Sequence, residues 1–172
     1  MTTKQELDFI WQEAVNFHGH QCGGLALGVR AALEARKRFR IIKADDKGIM
    51  CVTENLSCGV DGIQTVLGCT LGKGNLKIHD AGKFAFDFFN KNTGEYFRLL
   101  ARERKDDMHG AEYIEFVLNA PLEDVFYCSE PRISMPERTP RSISVRCRIC
   151  GEEILEIKGT GSGQGYICID CC

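Results

Sequence analysis

The segment Phe17–Arg30, FHGHQCGGLALGVR, sets His18, His20 and Cys22 on alternate residues, followed by two glycines and an apolar run of helical spacing. Imidazole and thiolate suit zinc, copper, nickel and iron, so three such groups within five residues read as half of a metal site. If Cys22 opens the helix that follows, the dipole and the free backbone N–H groups of that helix end stabilise its thiolate. Gly23 and Gly24 allow a ligand to approach the backbone closely. A capped helix start with surface histidines and a buried thiol is the plainer account, but the coincidence of three ligand groups favours the metal.

Upstream, Thr3 and Glu6 form a capping-box pair, and Leu7, Ile10, Trp11, Ala14 and Val15 recur at helical spacing. A helix over residues 4–16 then delivers Phe17 and the His-Gly-His turn, with Gly19 placed to end it. Downstream, a second helix is expected over Cys22–Arg38, its basic end suiting the negative pole of the dipole. A turn at Asp45–Gly48 leads into a strand over Ile49–Thr53.

A second informative stretch is ENLSCGVDGIQTVLGCTLGKGNL, residues 54–76. Ser57 is read as the cap of a short helix carrying Val60, Ile63 and Leu67 on one face. Cys58 falls in its first turn, and Cys58, Asp61 and Gln64 share a face. The glycine-rich loop after Gly68 resembles a phosphate loop superficially. It is one residue short between Gly68 and Lys73, and Gly74 stands where Ser or Thr must ligate magnesium, so an NTP site is excluded. Cys69 and Lys73 in that loop suit a reactive thiol or an anion contact, and a plain connection equally well.

Leu76–Ile78 and Lys83–Phe89 are expected to form a β-hairpin around His79–Gly82, with Phe84, Phe86 and Phe88 on one face. His79 reads as a turn residue. The pattern over Glu95–Arg104 does not decide between strand and helix. Asp106 and Asp107 precede a helix over Ala111–Leu118, Pro121 opens a short turn or helix, and Val125–Cys128 suits a last strand. At most four strands interleaved with four or five helices give an α+β or α/β first domain.

The 172 residues carry ten cysteines, a net charge of −2, 44% apolar and 27% charged residues, the profile of a globular protein. No apolar run reaches membrane-spanning length and MTTKQELDF lacks a signal-peptide core, so the expectation is cytoplasmic, where many cysteines indicate metal or redox chemistry. Basic and acidic residues are nearly balanced along the chain, unlike a dedicated nucleic-acid binder.

From Ser129 the character changes. Pro131, Pro136 and Pro140 with Arg132, Arg138, Arg141, Arg146 and Arg148 describe an extended basic linker over residues 130–145. Cys147-x-x-Cys150, seventeen residues, then Cys168-x-x-Cys171 has the spacing of a four-cysteine zinc site, a finger of treble-clef or ribbon type over 146–172. Ile154–Lys158 and Tyr166–Ile169 are expected to pair as its hairpin, with Asp170 or Cys172 as substitutes for Cys171. Glycines 159–165 resemble a dinucleotide fingerprint in composition alone, since no strand–helix unit fits around them.

FHGHQCGG (17–24), ENLSCGVDGIQTVLGCTLGKGNL (54–76) and DAGKFAF (80–86) together resemble the FmdE family, named for a component of formylmethanofuran dehydrogenase. The likeness spans roughly residues 8 to 128, and a cysteine-type finger after it is familiar in that family. It implies a mixed β-sheet flanked by helices, somewhat thioredoxin-like, over residues 1–129, and a tendency to form homodimers. It also implies a metal-binding active site from His18, His20, Cys22 and Cys58, with Asp61, Gln64, Cys69 and Lys73 lining the cleft. The family name associates such chains with a molybdenum or tungsten enzyme complex without assigning a reaction.

Two functions follow as expectations. The first is a metal-dependent oxidoreductase or its subunit, with zinc or another transition metal in the core, structural zinc in the finger, and Asp61, Cys69 and Lys73 as catalytic candidates. The second is a metal-sensing or interaction module whose finger and basic linker engage a protein or nucleic acid.

Overall fold

The computed structural model describes residues 3–41, 48–104, 107–137, 143–162 and 165–172, grouped in two compact units, Met1–Pro136 and Glu137–Cys172. Asp45–Lys47 of the expected turn, Asp106, Arg138, Pro140 and Arg141 of the expected linker, and Gly163–Gln164 of the glycine-rich loop lie outside the described residues. The boundary between the units falls within the stretch read as linker.

In the first unit, α1 (Lys4–His18) begins at Thr3, whose hydroxyl accepts the Glu6 N–H at 3.2 Å, and ends at Gly19, which takes φ 91°. Only glycine adopts that conformation without strain, so the chain turns there and α2 (Gly23–Arg38) starts four residues on. Next come β1 (Ile49–Thr53), α3 (Gly59–Leu67), β2 (Leu76–Ile78), β3 (Ala85–Asn90), β4 (Tyr96–Ala101), α4 (Gly110–Asn119), α5 (Leu122–Val125) and β5 (Phe126–Ser129). The result is an α+β unit with a mixed sheet in the order β2-β1-β3-β4-β5, parallel at β1–β2 and antiparallel elsewhere.

Two expectations are corrected here. Five strands form this sheet among the described residues, not four at most, because Tyr96–Ala101, undecided from its pattern, is a strand. Residues 76–89 are not a hairpin either: β2 and β3 take opposite edges of β1. Parallel strands require a crossover between them, and α3 supplies it by carrying the chain from β1 to β2.

Alternation in the strands sorts the two faces of the sheet. Ile49, Cys51, Phe86, Phe88, Phe97 and Leu99 point to the helices and join Leu25, Val29, Ala32 and Ile63 in the main core. Phe88 stacks on Phe97 with ring centroids 5.0 Å apart, and Phe84, Phe86 and Phe88 form the aromatic row expected of them. The other face buries Met50, Val52 and Phe89 against Ile133. Between them Asp87 pairs across the strands with Arg98, whose Nε donates to Glu54 Oε1 at 2.5 Å.

In the second unit, β6 (Ser144–Arg146) pairs with β7 (Glu153–Leu155), and β8 (Thr160–Ser162) with β9 (Gly165–Ile167). The single expected hairpin is therefore replaced by two. The segment between the cysteine pairs holds β7, β8 and β9, and Glu153–Leu155 pairs with a strand that precedes the first cysteine. Among the described residues, no helix is long and apolar enough to cross a membrane.

Candidate metal centres

The first centre sits where three helix ends converge. His18 is the last residue of α1, Cys22 occupies the cap position of α2 with its Sγ accepting the Leu25 N–H at 3.3 Å, and Cys58 immediately precedes α3. Ser57, read as the cap, instead turns its hydroxyl to Asn55 Oδ1, which leaves Cys58 at the boundary.

What brings Cys58 to Cys22 is a contact between helix backbones. A Cβ on Gly28 of α2 would lie 2.0 Å from the Gly59 carbonyl oxygen, and one on Gly62 of α3 would lie 2.5 Å from Val29 N. Glycines are costly in helix interiors, by ~1 kcal/mol against alanine. Here they let α2 and α3 touch without intervening side chains, so two thiols far apart in sequence share one small volume.

One ligand atom from each of His18, His20, Cys22 and Cys58 lies within 4.8 Å of the others. His18 Nε2 is 3.8 Å from Cys22 Sγ, and its Nδ1 is 2.7 Å from Asp61 Oδ2. Gln64 Nε2 in turn donates to Asp61 Oδ1 at 3.0 Å. The chain Gln64–Asp61–His18 fixes the ring so that Nδ1 is committed to the carboxylate and Nε2 faces the thiols, the arrangement that orients histidine ligands in metal sites. His20 is exposed, its ring centroid 4.4 Å from that of His18. Burial pushes the Cys58 thiol up, and Cys22 and Asp61 beside it add to the rise. A cation among these donors removes that penalty, and two thiols with two imidazoles are soft enough for a transition metal, so the residues fit one.

Cys69 and Lys73 are placed elsewhere. Cys69 follows the far end of α3, about 13 Å of helix from Cys58 by the usual rise. It is fully buried, and desolvation pushes its thiol up to about 12. Lys73 is exposed and its Nζ donates to the Gly68 carbonyl, closing the helix end. His79 is exposed next to β2 and outside the ligand group.

The second centre is built by the second unit alone. Cys147, Cys150, Cys168 and Cys171 present their sulfurs within 4.8 Å of one another, so Cys171, not Asp170 or Cys172, completes the four-sulfur group. Cys150 Sγ lies 3.8 Å from Cys168 Sγ, and Cys147 Sγ accepts the Cys168 N–H at 3.4 Å. Hydrogen bonds from the N–H groups of Cys150, Cys168 and Ile149 hold the Cys147 thiol down to about 6. Four converging sulfurs on a unit with this little core fit a structural tetrahedral ion.

A cavity of about 530 Å³ opens beside the first centre, with Cys22, Gly23 and Gly24 in its wall. Of the rest of its lining, Phe84 belongs to the expected aromatic row and Tyr113 to the inward face of the expected helix, while no sequence signal marks Arg104, which ends a stretch without a readable period. A cavity of about 500 Å³ between the end of the β3–β4 hairpin and residues 130–135 has neither histidine nor cysteine among its described lining residues.

Fold and centres together define a class: a helix-covered mixed sheet with a His/Cys ligand group at its helix ends, in a chain that also carries a four-cysteine unit. The chain belongs to the FmdE family, described as "FmdE, Molybdenum formylmethanofuran dehydrogenase operon", which matches residues 17–127. It is 27% identical over 182 residues to a "Probable S-adenosyl-L-methionine-binding protein" of Archaeoglobus fulgidus, a match covering 87% of this chain. The chain spans about half the length of that relative, 50%. In structure it is similar to a tungsten formylmethanofuran dehydrogenase FmdE-like protein from Syntrophus aciditrophicus, with a TM-score of 0.69 and 20% identity. That likeness covers 96% of this chain and 91% of the other, and it extends to the fold.

Proposed function

We propose that this protein is a metal-dependent subunit of a redox system, with its active centre at His18, His20, Cys22 and Cys58. The observation that carries the proposal is the Asp61–His18 pair beside two thiols, with four donor atoms within 4.8 Å. A carboxylate-oriented histidine beside an exposed fourth ligand is more typical of catalytic than of structural sites. His18, Cys22 and Cys58 would hold the ion, zinc or another transition metal, and exposed His20 is the donor that yields to a substrate. When bound, the ion supplies a Lewis acid for a substrate oxygen or sulfur.

Asp61 keeps His18 in the tautomer that presents Nε2 to the ion, and Gln64 keeps Asp61 in place. The Leu25 N–H holds the Cys22 sulfur at the start of α2, where it faces the other donors. In this proposal Cys69 and Lys73 stabilise the far end of α3 and take no part in chemistry. The four-cysteine unit holds structural zinc. The operon named in the family description supports service to a molybdenum or tungsten enzyme, and a cytoplasmic homodimer belongs to the same reading.

The alternative role, an interaction module, is supported by the second unit's Ile149 and Ile169, which are 61% and 82% exposed. Apolar residues so displayed suit a protein partner better than nucleic acid. Cobalt substitution tests the main proposal. Two thiolate ligands in the core add charge-transfer bands that weaken in Cys22→Ala, vanish when Cys58 is also replaced, and persist in Cys147→Ala. Identical spectra for the wild type and Cys22→Ala contradict it.

A further inference from the structure

We infer that the cavity of about 530 Å³ beside the first metal centre is a binding pocket for a small organic carboxylate, held by Arg104. Its size lies within the range of small-molecule sites, roughly 300–1,000 Å³. Its lining is apolar at Leu27, Phe84, Tyr113 and Ile114, and the Cys22–Gly24 backbone borders the same side. Tyr113 packs so closely on Gly23 that a Cβ there would lie 2.6 Å from its ring, so the ring rests directly on the α2 backbone.

The polar side of the cavity carries positive charge. Arg104 lines the cavity from its solvent-exposed rim, and its guanidinium lies over the Tyr113 ring at 5.8 Å from the centroid, a contact that holds the charge near the apolar wall. The first turns of α2 and α4 also line it, at Gly23–Gly24 and Gly110–Ala111, and His109 makes no side-chain cap bond at the start of α4. Neither Asp nor Glu is among the described lining residues. A planar guanidinium fork beside a flat aromatic surface matches a carboxylate attached to a flat apolar body. Cys22 places such a ligand next to the metal centre. A substrate role for this cavity rests on the metal proposal, whereas ligand binding does not.

The test uses the full chain and two probes of equal shape, 2-naphthoate and the uncharged 2-naphthamide, with binding measured by calorimetry. The wild type should bind the carboxylate about tenfold or more tightly than the amide, the usual advantage of a charge-assisted hydrogen bond. Arg104→Gln should bring the two affinities within about twofold by weakening the carboxylate alone, since the apolar wall is untouched. Ala111→Trp, at an exposed lining position, should weaken both probes. Equal affinities in the wild type, absence of binding at millimolar concentrations, or an unchanged preference in Arg104→Gln overturns the inference. Metal analysis of the same samples keeps its failure distinct: a full metal complement without probe binding refutes the pocket alone, and probe binding without core metal refutes the centre alone.

Discussion

Gly28→Ala bears most directly on how the fold builds its first centre. The added Cβ would stand 2.0 Å from the Gly59 carbonyl oxygen, 2.6 Å from its carbon and 2.7 Å from its Cα, all backbone atoms that no rotamer change can move. Ordinary contact begins near 3.4 Å, so α3 must retreat by roughly 1.4 Å. Overpacking of this kind costs ~1–3 kcal/mol, and contact with backbone puts it at the upper end. Alanine regains ~1 kcal/mol of helix propensity, leaving a net loss of about 2 kcal/mol. The same retreat carries Cys58 away from Cys22, and metal sites tolerate ligand shifts of only about 0.2 Å. Urea unfolding followed by Trp11, the only tryptophan and one that packs on the first core, reads the stability term. Metal analysis reads the other, with loss of the core equivalent. Gly72→Ala is the control, because nothing lies within 4 Å of its added Cβ, and it should stay within about 0.5 kcal/mol of wild type. A Gly28→Ala protein as stable as wild type and fully metallated would refute the helix contact as the device that joins the two thiols.

Other perturbations separate the remaining parts of the account. Asp61→Asn should weaken core metal binding by roughly 10- to 100-fold while leaving the four-cysteine equivalent intact, as metal titration against a competing chelator would show. Removing metal with a strong chelator should unfold residues 143–172 and spare the first unit, so amide NMR dispersion collapses for the second unit only. Burial on the sheet, with Glu54 beside it, raises the Asp87 carboxyl from 3.8 to about 6. The folded protein therefore holds the extra proton between those values, and this group's contribution to stability is full below about 3.8 and lost as pH rises through about 6. Asp87→Asn removes that loss, so its urea midpoint relative to wild type should rise between about pH 4.5 and pH 7. A constant difference would show that Asp87 does not titrate in this window.

Local physics made much of this structure readable. Thr3 caps α1 and Gly19 ends it because those roles depend on neighbours three or four residues away. Phe84, Phe86 and Phe88 alternate because a strand imposes a period of two. The strand order was not readable in the same way. Leu76–Ile78 has the same apolar pattern whether it pairs with β3 in a hairpin or with β1 across α3, and only the tertiary contact decides. In the four-cysteine unit the spacing picked out the four sulfurs that converge but not the two hairpins around them. At the first centre His18, His20, Cys22 and Cys58 were legible as residue types, and the i, i+3 spacing of Cys58, Asp61 and Gln64 put these three on one face, while only the packing of α1 on α3 brings that face to His18. Gly28 and Gly62, which bring the halves together, looked like ordinary helix glycines. Tyr113 was legible as an inward helix residue but not as a cavity wall, and Arg104 carried no pattern, since a cavity wall is assembled from elements whose packing a linear spacing does not encode.

Metal content per chain tests the central claim most directly. Purified wild-type protein should hold about two equivalents, one at the thiol–imidazole centre and one among the four cysteines, and Cys22→Ala with Cys58→Ala should hold about one. Two equivalents in the double variant, or one in both proteins, would contradict the assignment of a metal to His18, His20, Cys22 and Cys58.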